Sequence, residues 1–383
     1  MRYNPLGNTG LSVSEVGLGC EHLQGKDAKL IRTVIDEALG LGVNVMDVFM
    51  SEPNVRTDIG LALRGRREKV ILQGHIGAAW VDGQYLRTRD PALCKTFFED
   101  LLTRLDTDYM DIGMLHFFDT FEDWRAVKDG PMMEYALSLK EKGVIKTLGM
   151  SSHNAEVSLE AVNSGLIDVL MFSLNPAFDL LPEDTQLEAM FEGGTYRNEG
   201  LLGMNPVRDL LYRTCESRGV GITVMKAYGA GSLLRADSSP LGQAMTPCQL
   251  LQYALTRPGV ASVLVGCQTI EQVREAVRFE TASDAEKDYA AVLGQARAYQ
   301  ATGRCMYCNH CHPCPAQIDV AAVNKFLDLA SVHEQTPATV RAHYEALTAR
   351  AADCIECGQC EERCPFNVPV IKRMAEAKAR FGM

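Results

Sequence analysis

The sequence predicts an α/β protein in which a (β/α)8, or TIM, barrel is followed by a small, cysteine-rich helical domain. Short β-rich runs alternate with helix-length amphipathic segments through roughly the first 280 residues, which is the pattern of a parallel barrel. Eight of the thirteen cysteines lie in the last eighty residues. We therefore expect a barrel over residues 1–280, a linker helix over 281–303 and a separate domain over 304–383.

Eight candidate strands can be placed, and helices separate them. The strands are predicted at 15–19, 43–48, 69–74, 109–115, 144–150, 169–172, 221–225 and 262–265, and helices at 28–41, 91–105, 132–142, 155–164, 206–218, 247–256, 270–277 and 282–302. Turn residues at Asn8-Thr9-Gly10 predict an N-terminal hairpin. A doubly wound open sheet is the alternative, but Gly17-Leu18-Gly19 lacks the third glycine of its phosphate loop.

Two predicted loops are unusually long. One covers 78–90 and includes Trp80 and Tyr85, and the other covers 175–205. Both follow strands, so in a barrel they would lie at the carboxyl ends of the strands, where barrel enzymes build their active sites.

The eight C-terminal cysteines form two closely spaced runs. The second run has the spacing C-x2-C-x2-C-x3-C-P, which is the bacterial ferredoxin pattern for a cubane iron–sulfur cluster, and the first run is one residue shorter. In two-cluster modules the fourth cysteine of each run binds the other cluster. This pattern assigns Cys305, Cys308, Cys311 and Cys364 to one [4Fe-4S] cluster, and Cys354, Cys357, Cys360 and Cys314 to the other.

Structural zinc and disulfides are the alternatives to clusters. Zinc usually takes two separated C-x2-C pairs, and disulfides suit small secreted domains. The 383-residue chain begins without a hydrophobic signal region, so a cytoplasmic protein of an anaerobic or microaerobic cell is expected. Its formal charge of −11 with no basic run argues against nucleic acid. No apolar stretch approaches the ~20 residues of a membrane span.

The chain resembles the aldo-keto reductases, and among them the branch with a C-terminal ferredoxin-like domain. The segments that carry the resemblance are the opening 3–19, Asn44-Val-Met-Asp47, the runs 108–116 and 148–154, Asn175-Pro176, Val224-Met-Lys226, the run 266–273 and both cysteine runs. The resemblance covers nearly the whole chain. It implies a barrel reductase fold, a nicotinamide cofactor on the carboxyl face of the barrel, and carbonyl or alcohol substrates.

The resemblance also implies a catalytic set of Asp, Tyr, Lys and His, of which two members match. Asp47 and His116 stand in the family positions, whereas Glu52 occupies the place of the tyrosine and His75 that of the lysine. One interpretation is an altered active site in which Glu52, His75 and His116 carry protons and Asp47 orients them. Alternatively, Glu52 faces solvent, or the carboxylate and two imidazoles bind a divalent metal.

The nucleotide site implied by the resemblance also departs from the family pattern. Its predicted residues are Ser151, Ser152, Asn154, Lys226, Gly266, Thr269 and Gln272. Met171 stands where the family has an amide-binding glutamine, and 267–273 contains no Arg or Lys for a 2′-phosphate. NAD(H) or NADP(H) is therefore expected, with NADP(H) disfavoured. No flavin motif is present, although a flavin would suit one-electron clusters.

The sequence therefore predicts an iron–sulfur oxidoreductase that acts on a small organic substrate and relays electrons through two clusters. Trp80, Tyr85, Phe117 and Phe118 suggest an aromatic wall for a ring-shaped substrate, although core packing is the favoured account of the phenylalanines. The expected partner is a ferredoxin or flavoprotein electron donor. The alternatives are an ordinary NAD(P)H-dependent carbonyl reductase with structural clusters and a non-catalytic electron-transfer or partner-binding protein.

Overall fold

Eight parallel strands close into a barrel, as predicted. The computed structural model describes residues 1–180, 204–293 and 303–382. The strands are β1 (Tyr3–Pro5), β2 (Ser12–Ser14), β3 (Val16–Gly19), β4 (Val45–Val48), β5 (Ile71–Ile76), β6 (Ala78–Val81), β7 (Gln84–Arg87), β8 (Met110–Leu115), β9 (Ile145–Ser152), β10 (Val169–Ser173), β11 (Gly221–Met225) and β12 (Val260–Gly266). The closed order is β3-β4-β5-β8-β9-β10-β11-β12, and β1–β2 and β6–β7 are antiparallel hairpins.

Helices connect the strands and form the C-terminal region. They are α1 (Ala28–Gly40), α2 (Pro53–Leu63), α3 (Pro91–Arg104), α4 (Phe121–Lys128), α5 (Pro131–Glu141), α6 (Ala155–Ser164), α7 (Pro176–Asp179), α8 (Pro206–Arg218), α9 (Pro247–Leu255), α10 (Ile270–Val277), α11 (Asp284–Lys287), α12 (Ala290–Leu293), α13 (Val320–Ser331), α14 (Ala338–Glu345), α15 (Gln359–Glu362) and α16 (Val370–Phe381). Short 3-10 helices lie at Cys20–Leu23, Arg67–Lys69, Gly229–Leu234, Arg278–Thr281 and Ala351–Asp353.

Ahead of the cysteine-rich region, the helices α2, α4 and α7 and the hairpin β6–β7 were not predicted from the sequence. Helix α2 has a weak apolar pattern because its buried face includes the charged Arg56, and α4 is short and mostly polar. The hairpin β6–β7 occupies the long loop that was predicted after the third barrel strand. The linker predicted as one helix contains the two short helices α11 and α12, and its residues 294–302 lie outside the described part of the chain.

The barrel interior is apolar and is closed at one end. Buried side chains of the strands, among them Val45, Ile112 and Met114, form one core cluster together with Leu6 and Val13 of the N-terminal hairpin region. Leu6 lies against the backbone of Gly221, at the first residue of β11. The hairpin therefore covers the amino ends of the strands, and the opposite rim is left for polar side chains.

The chain divides into two compact units, which we describe separately. The first contains the barrel strands and covers 1–174, 220–227 and 260–282; the second covers 175–219, 228–259 and 283–383. The predicted boundaries after residues 280 and 303 stay predictions, as does most of the predicted loop 175–205, since 181–203 lie outside the described residues. Within the described part of the chain, no helix is both long and apolar enough to cross a membrane.

Buried ion pairs and hydrogen bonds organise the second unit. The Asp179 carboxylate accepts hydrogen bonds from Arg208 Nε at 2.7 Å, from the Tyr212 hydroxyl at 2.6 Å and from the Tyr253 hydroxyl at 2.9 Å. A buried carboxylate that is satisfied in this way avoids the large cost of an unpaired charge. These contacts join α7, α8 and α9.

A second carboxylate of this unit, that of Glu216, should make the stability of the protein depend on pH. Burial acts to raise the pKa of Glu216. Three neighbours outweigh this effect: the hydrogen bond with His343, the positive charge of Lys325 and the Gly259 N–H. Together they lower the pKa of Glu216 to about 2 from the usual 4.5. A depressed carboxyl pKa adds stability that is complete above the unfolded-state pKa and disappears as the pH falls through the folded-state value. For Glu216 this window extends from about pH 4.5 down to about pH 2.

We expect Glu216→Gln to lower the free energy of unfolding at pH 7 by up to about 3 kcal/mol, because a shift of one pKa unit corresponds to about 1.4 kcal/mol. Urea unfolding at pH 7 and at pH 3 measures the difference between the variant and the wild type, which should shrink at pH 3. Glu345→Gln, at a half-exposed pair with Arg341, is the matched control and should change little. A difference for Glu216→Gln that is the same at both pH values would contradict this account.

Candidate active site

Three titratable side chains meet at the carboxyl rim because their strands are neighbours. Asp47 lies on β4, His75 on β5 and His116 directly after β8, and these strands are adjacent in the barrel. Parallel strands place their carboxyl ends on one side, so residues far apart in the sequence converge there. All three side chains are buried, with at most 5% exposed. The sequence predicted all three as site residues.

The three side chains form one hydrogen-bonded chain. His75 Nε2 lies 2.9 Å from Asp47 Oδ1, and its other ring nitrogen, Nδ1, lies 2.7 Å from His116 Nδ1. Both ring nitrogens of His75 are therefore engaged by neighbouring side chains. Ligands of one metal ion would point towards a common centre. The His75 nitrogens and the His116 ring do not. Within the described residues, no three His, Cys, Asp or Glu side chains are placed to share a single metal ion.

Gln73 supports Asp47 and was not predicted as a site residue. Its Nε2 donates to Asp47 Oδ1 at 3.0 Å and lies 3.7 Å from the sulfur of Met171. Gln73 and His75 are two residues apart on β5, and residues with this spacing face the same side of a strand. The two-residue spacing of Gln73 and His75 was therefore the feature of the sequence that could have indicated a polar pair inside the barrel.

The hairpin β6–β7 adds a phenol to the chain. The Tyr85 hydroxyl lies 2.6 Å from His116 Nε2, and the two rings meet edge to face. Phe49 stacks almost parallel to the His116 ring, with 5.5 Å between the ring centroids. Tyr85 is 46% exposed, so this side chain is only partly buried. The sequence marked Tyr85 only as an aromatic residue of a long loop.

Arg89 fixes the segment that carries His116. Its guanidinium donates to the carbonyl oxygens of His116 at 2.9 Å and of Phe117 at 2.7 Å, and it forms an ion pair with Asp123. Phe117 has a φ of 59°, a left-handed conformation that is uncommon for a residue with a side chain. The hydrogen bonds from Arg89 hold this strained turn in place.

Burial and positive neighbours keep the His116 ring neutral. Burial contributes most, followed by His75, Arg89, Arg87 and His153, and together they hold the pKa of His116 well below its usual range. A neutral imidazole donates from one ring nitrogen and accepts at the other. His116 can therefore pass a proton across its ring without holding a charge for long.

A second polar cluster lies beside the first. Asp119 Oδ2 lies 3.0 Å from His153 Nδ1, and Asp119 Oδ1 accepts from the His153 N–H at 2.6 Å and from the Ser152 hydroxyl at 3.0 Å. Burial alone would raise the pKa of Asp119, but these hydrogen bonds outweigh it and lower the pKa. Asp119 and His153 were not predicted. They follow the carboxyl ends of β8 and β9, where polar residues of a barrel belong to the site.

The predicted cofactor residues of strands β9 and β11 lie on the same rim and have local partners. Ser151 Oγ accepts from the Phe117 N–H at 2.8 Å, and Asn154 caps α6 by accepting from the Glu156 and Val157 N–H groups. Lys226 follows β11 with a φ of 60°, and its Nζ lies 3.9 Å from a carboxylate oxygen of Glu21.

The other predicted cofactor residues lie after β12. Gly266 ends this strand, and Thr269 caps α10 by accepting from the Gln272 N–H. The Gln272 side chain in turn accepts from the Gln268 N–H at 2.7 Å. The result is a rigid loop that leads into a helix N-terminus.

Glu52 stands apart from the hydrogen-bonded chain. Its two carboxylate oxygens accept from the Asn54 and Val55 N–H groups at 3.1 and 2.7 Å, so Glu52 is the N-cap of α2. The sequence Glu52-Pro53 was the signal, because proline favours the first position of a helix. The catalytic role of Glu52 stays a prediction, and its contacts favour the capping role.

The eight C-terminal cysteines line two cavities of the second unit. Cys305, Cys308, Cys311 and Cys364 line one cavity, and Cys314, Cys354, Cys357 and Cys360 line the other, which Cys311 also borders. The fourth cysteine of each run thus lines the cavity of the other run. This crossed arrangement is the one that the spacing predicted for two clusters.

The model of the aldo/keto reductase family matches residues 15–245. YqkF of Bacillus subtilis, described as an uncharacterized oxidoreductase, is 33% identical over 291 residues, which cover 73% of this chain and 90% of the relative. The NADH-specific methylglyoxal reductase of Escherichia coli is 25% identical over 311 residues, which cover 72% and 93% of the two chains.

A solved structure gives the same result for the fold. The holo form of aldo-keto reductase AKR11C1 from Bacillus halodurans superposes with a TM-score of 0.61 at 25% identity, covering 78% of this chain and 97% of that one. The closed barrel with polar side chains on its carboxyl rim is thus a reductase barrel. The chain belongs to the aldo/keto reductase family and is an oxidoreductase.

Proposed function

We propose that this oxidoreductase interconverts a carbonyl and an alcohol on a small organic molecule, with an active site in which two imidazoles replace the usual tyrosine–lysine pair. The observation that carries the proposal is the buried chain from Asp47 through His75 to His116, with contacts of 2.9 and 2.7 Å. Such a chain moves a proton over a fixed path, and positioned acid–base groups typically contribute 10²–10⁴-fold to a rate.

The directions of the hydrogen bonds follow from the carboxylate. Ionised Asp47 can only accept, so it requires the proton of His75 on Nε2. In neutral His75, Nδ1 then carries a lone pair and accepts from His116 Nδ1–H. His116 Nε2 is left as an acceptor that faces the barrel mouth. Asp47 and His75 thus set the tautomer of His116, which is the role of the buried aspartate in other catalytic triads.

A nicotinamide cofactor fits the opposite side of the rim. When bound, it would supply hydride to the carbonyl carbon. Ser151 would hold its nicotinamide end. Lys226 and the loop from Gly266 to Thr269, with the α10 N-terminus, would suit a phosphate. Arg274, the first cation after that loop, is paired with Glu37 at 2.7 Å. NADH is therefore the favoured cofactor, in line with the NADH specificity named for the E. coli relative.

The substrate class follows from the side chains around His116. Phe49 stacks on the imidazole, and Tyr85 stands beside it. These rings favour a flat substrate such as an aromatic aldehyde or a conjugated dicarbonyl. Phe118 is not available for this purpose because it packs edge to face on the buried Trp124.

The two cysteine-lined cavities would hold one [4Fe-4S] cluster each. In a cubane every thiolate binds a different iron, so the four cysteines surround a volume and do not converge on one ion. The crossed lining by both cysteine runs supports this assignment. The clusters would supply single-electron transfer, and a ferredoxin or flavoprotein would be the natural external donor or acceptor.

Replacing His116 tests the catalytic proposal. We expect His116→Gln to lower kcat/KM for aldehyde reduction about 100-fold or more, because glutamine cannot relay a proton. NADH affinity, measured by fluorescence titration, should stay within about twofold. His333→Gln, at an exposed histidine of the second unit, is the control and should keep full activity. Equal activity of His116→Gln and the wild type would remove the proposal.

Iron analysis tests the cluster assignment. Anaerobically purified protein should contain about eight irons and eight sulfides per chain, since two cubanes hold four of each. Cys360→Ala should lose about half of both, whereas Cys248→Ala, at a buried cysteine of α9, should lose neither. Stoichiometric zinc in place of iron, or unchanged iron in Cys360→Ala, would contradict the assignment.

The same preparations separate an electron relay from structural clusters. Bleaching of the oxidised clusters by NADH would place the nucleotide and the clusters in one redox chain. NADH binding and aldehyde reduction without bleaching would instead favour the second candidate function, an ordinary carbonyl reductase with structural clusters. That candidate is favoured by the Asp47–His75–His116 chain, which operates without electrons from the second unit.

A further inference from the structure

The hairpin β6–β7 holds one phenol at the barrel mouth. It turns through Asp82 and Gly83 with φ angles of 52° and 76°, values of the two-residue turn that joins twisted strands. Trp80 pairs with Tyr85 across the hairpin. The base of the hairpin is fixed by a hydrogen bond from Thr88 N–H to the Gly77 carbonyl at 2.9 Å.

A further contact ties the hairpin to the loop after β4. The Ser51 hydroxyl donates to the Ala79 carbonyl at 2.6 Å. Ser51 precedes Glu52, which stands in the family position of the proton-donating tyrosine. The hairpin is therefore anchored beside the place where that phenol is missing.

The Tyr85 hydroxyl completes the buried chain. It lies 2.6 Å from His116 Nε2, the nitrogen that neutral His75 leaves as an acceptor. An oxygen and a nitrogen this close share a proton, so Tyr85 O–H donates to His116 in the resting arrangement. Tyr85 is 46% exposed, so part of this side chain is accessible from solvent. His116 is the hydrogen-bond partner of its hydroxyl, and we infer that a substrate oxygen approaches the same hydroxyl from the solvent side.

We propose that Tyr85, delivered by the hairpin after the third barrel strand, is the proton donor to the substrate oxygen, and that Asp47, His75 and His116 are the relay that resupplies it. The inference rests on the proposed function, since it names the acid of that reaction. Tyr85 would then supply the phenol that is missing after the second barrel strand, where the sequence has Glu52. The phenol comes from a different loop, and the lysine beside it is replaced by imidazoles.

The proton balance can be followed bond by bond. Before reduction, His75 carries a proton on each nitrogen, so Nδ1–H donates to His116, and His116 Nε2–H donates to the Tyr85 oxygen. When the carbonyl carbon accepts hydride, which a bound dihydronicotinamide would supply, a C–H bond forms, the carbonyl π bond breaks, and its electron pair takes the proton from Tyr85. Tyr85 takes the proton of His116 Nε2, and His116 Nδ1 takes that of His75 Nδ1. One proton leaves the hydrogen-bonded chain. The bonds between His75 and His116 and between His116 and Tyr85 reverse direction, whereas His75 Nε2–H continues to donate to Asp47.

The end point is the resting arrangement described above. His75 is neutral and donates to Asp47, His116 donates to His75, and Tyr85 donates to His116. The exposed phenol then regains one proton from water and passes it inward for the next cycle. The alcohol oxidation is the same path in reverse, with Tyr85 as the base.

The environment suits a relay of this kind. Burial raises the pKa of Tyr85 against the opposing charges of Arg87 and Arg89, so the phenol is protonated at neutral pH. The low pKa of His116 prevents the proton from resting on that ring. In the resting arrangement the only charged member of the hydrogen-bonded chain is Asp47, at the far end from the substrate. Asp47 is a positioning residue, and Tyr85 is the group that touches the reacting atom.

Tyr85→Phe is the test, because it removes one oxygen and keeps the ring on the hairpin. The wild type and the variant are compared in single turnovers of NADH oxidation with methylglyoxal and para-nitrobenzaldehyde, in H2O and in D2O. We expect the variant to turn over about 100-fold or more slowly, with NADH affinity within about twofold of the wild type. The wild type should show a solvent isotope effect that the variant loses. Tyr3→Phe, at an exposed tyrosine of the same unit, should behave like the wild type.

Three results would overturn the proposal, and they are distinguishable. A Tyr85→Phe rate within about threefold of the wild type would remove Tyr85 as the donor and leave the proposed function intact. A slow variant that keeps the full solvent isotope effect would show that Tyr85 only shapes the pocket. A wild type that neither binds NADH nor reduces either aldehyde would overturn the proposed function and this inference together. Circular dichroism of the variant checks that the fold is unchanged.

Discussion

One shared proton governs the polar rim of this barrel. The Nδ1 atoms of His75 and His116 lie 2.7 Å apart, a distance at which two nitrogen lone pairs repel each other and two N–H groups clash. Exactly one of the two atoms must therefore carry the proton. Because each imidazole has a second nitrogen, this single constraint couples Asp47 at one end of the chain to Tyr85 at the other. The tautomer of each ring is then fixed by its neighbour.

The barrel supplies the geometry that makes this coupling reliable. Asp47, His75 and His116 come from three adjacent parallel strands, so their spacing is set by backbone hydrogen bonds. Arg89 holds the turn after β8 through two carbonyl oxygens. Side chains on rigid elements reach productive geometry with little loss of entropy on binding a substrate. Tyr85, which is partly exposed, is the one member of this hydrogen-bonded series that lies on a hairpin.

The barrel, its eight strands and the site residues Asp47, His75 and His116 could be predicted from the sequence, because strand ends can be located from local patterns. Tyr85 could not be placed in the same way. Its contact with His116 depends on where the hairpin folds back, and that is determined by contacts such as the one between Ser51 and Ala79. Glu52 was given a catalytic role from its position in the family pattern, and that role stays a prediction. In the structure Glu52 caps α2, which the proline after it favours. The cysteines that line each of the two cavities match the sets that the ferredoxin-like spacing predicted, because that spacing places the fourth cysteine of each run with the other run.

The most direct test of this account is nitrogen-15 NMR of the histidine side chains in the oxidised protein without substrate. The chain has eight histidines, and single substitutions assign the signals of His75 and His116. We predict that one of the two Nδ1 atoms is protonated and the other is not, with His75 Nε2 always protonated towards Asp47. Two protonated or two unprotonated Nδ1 atoms would contradict the shared proton and, with it, the proposed relay.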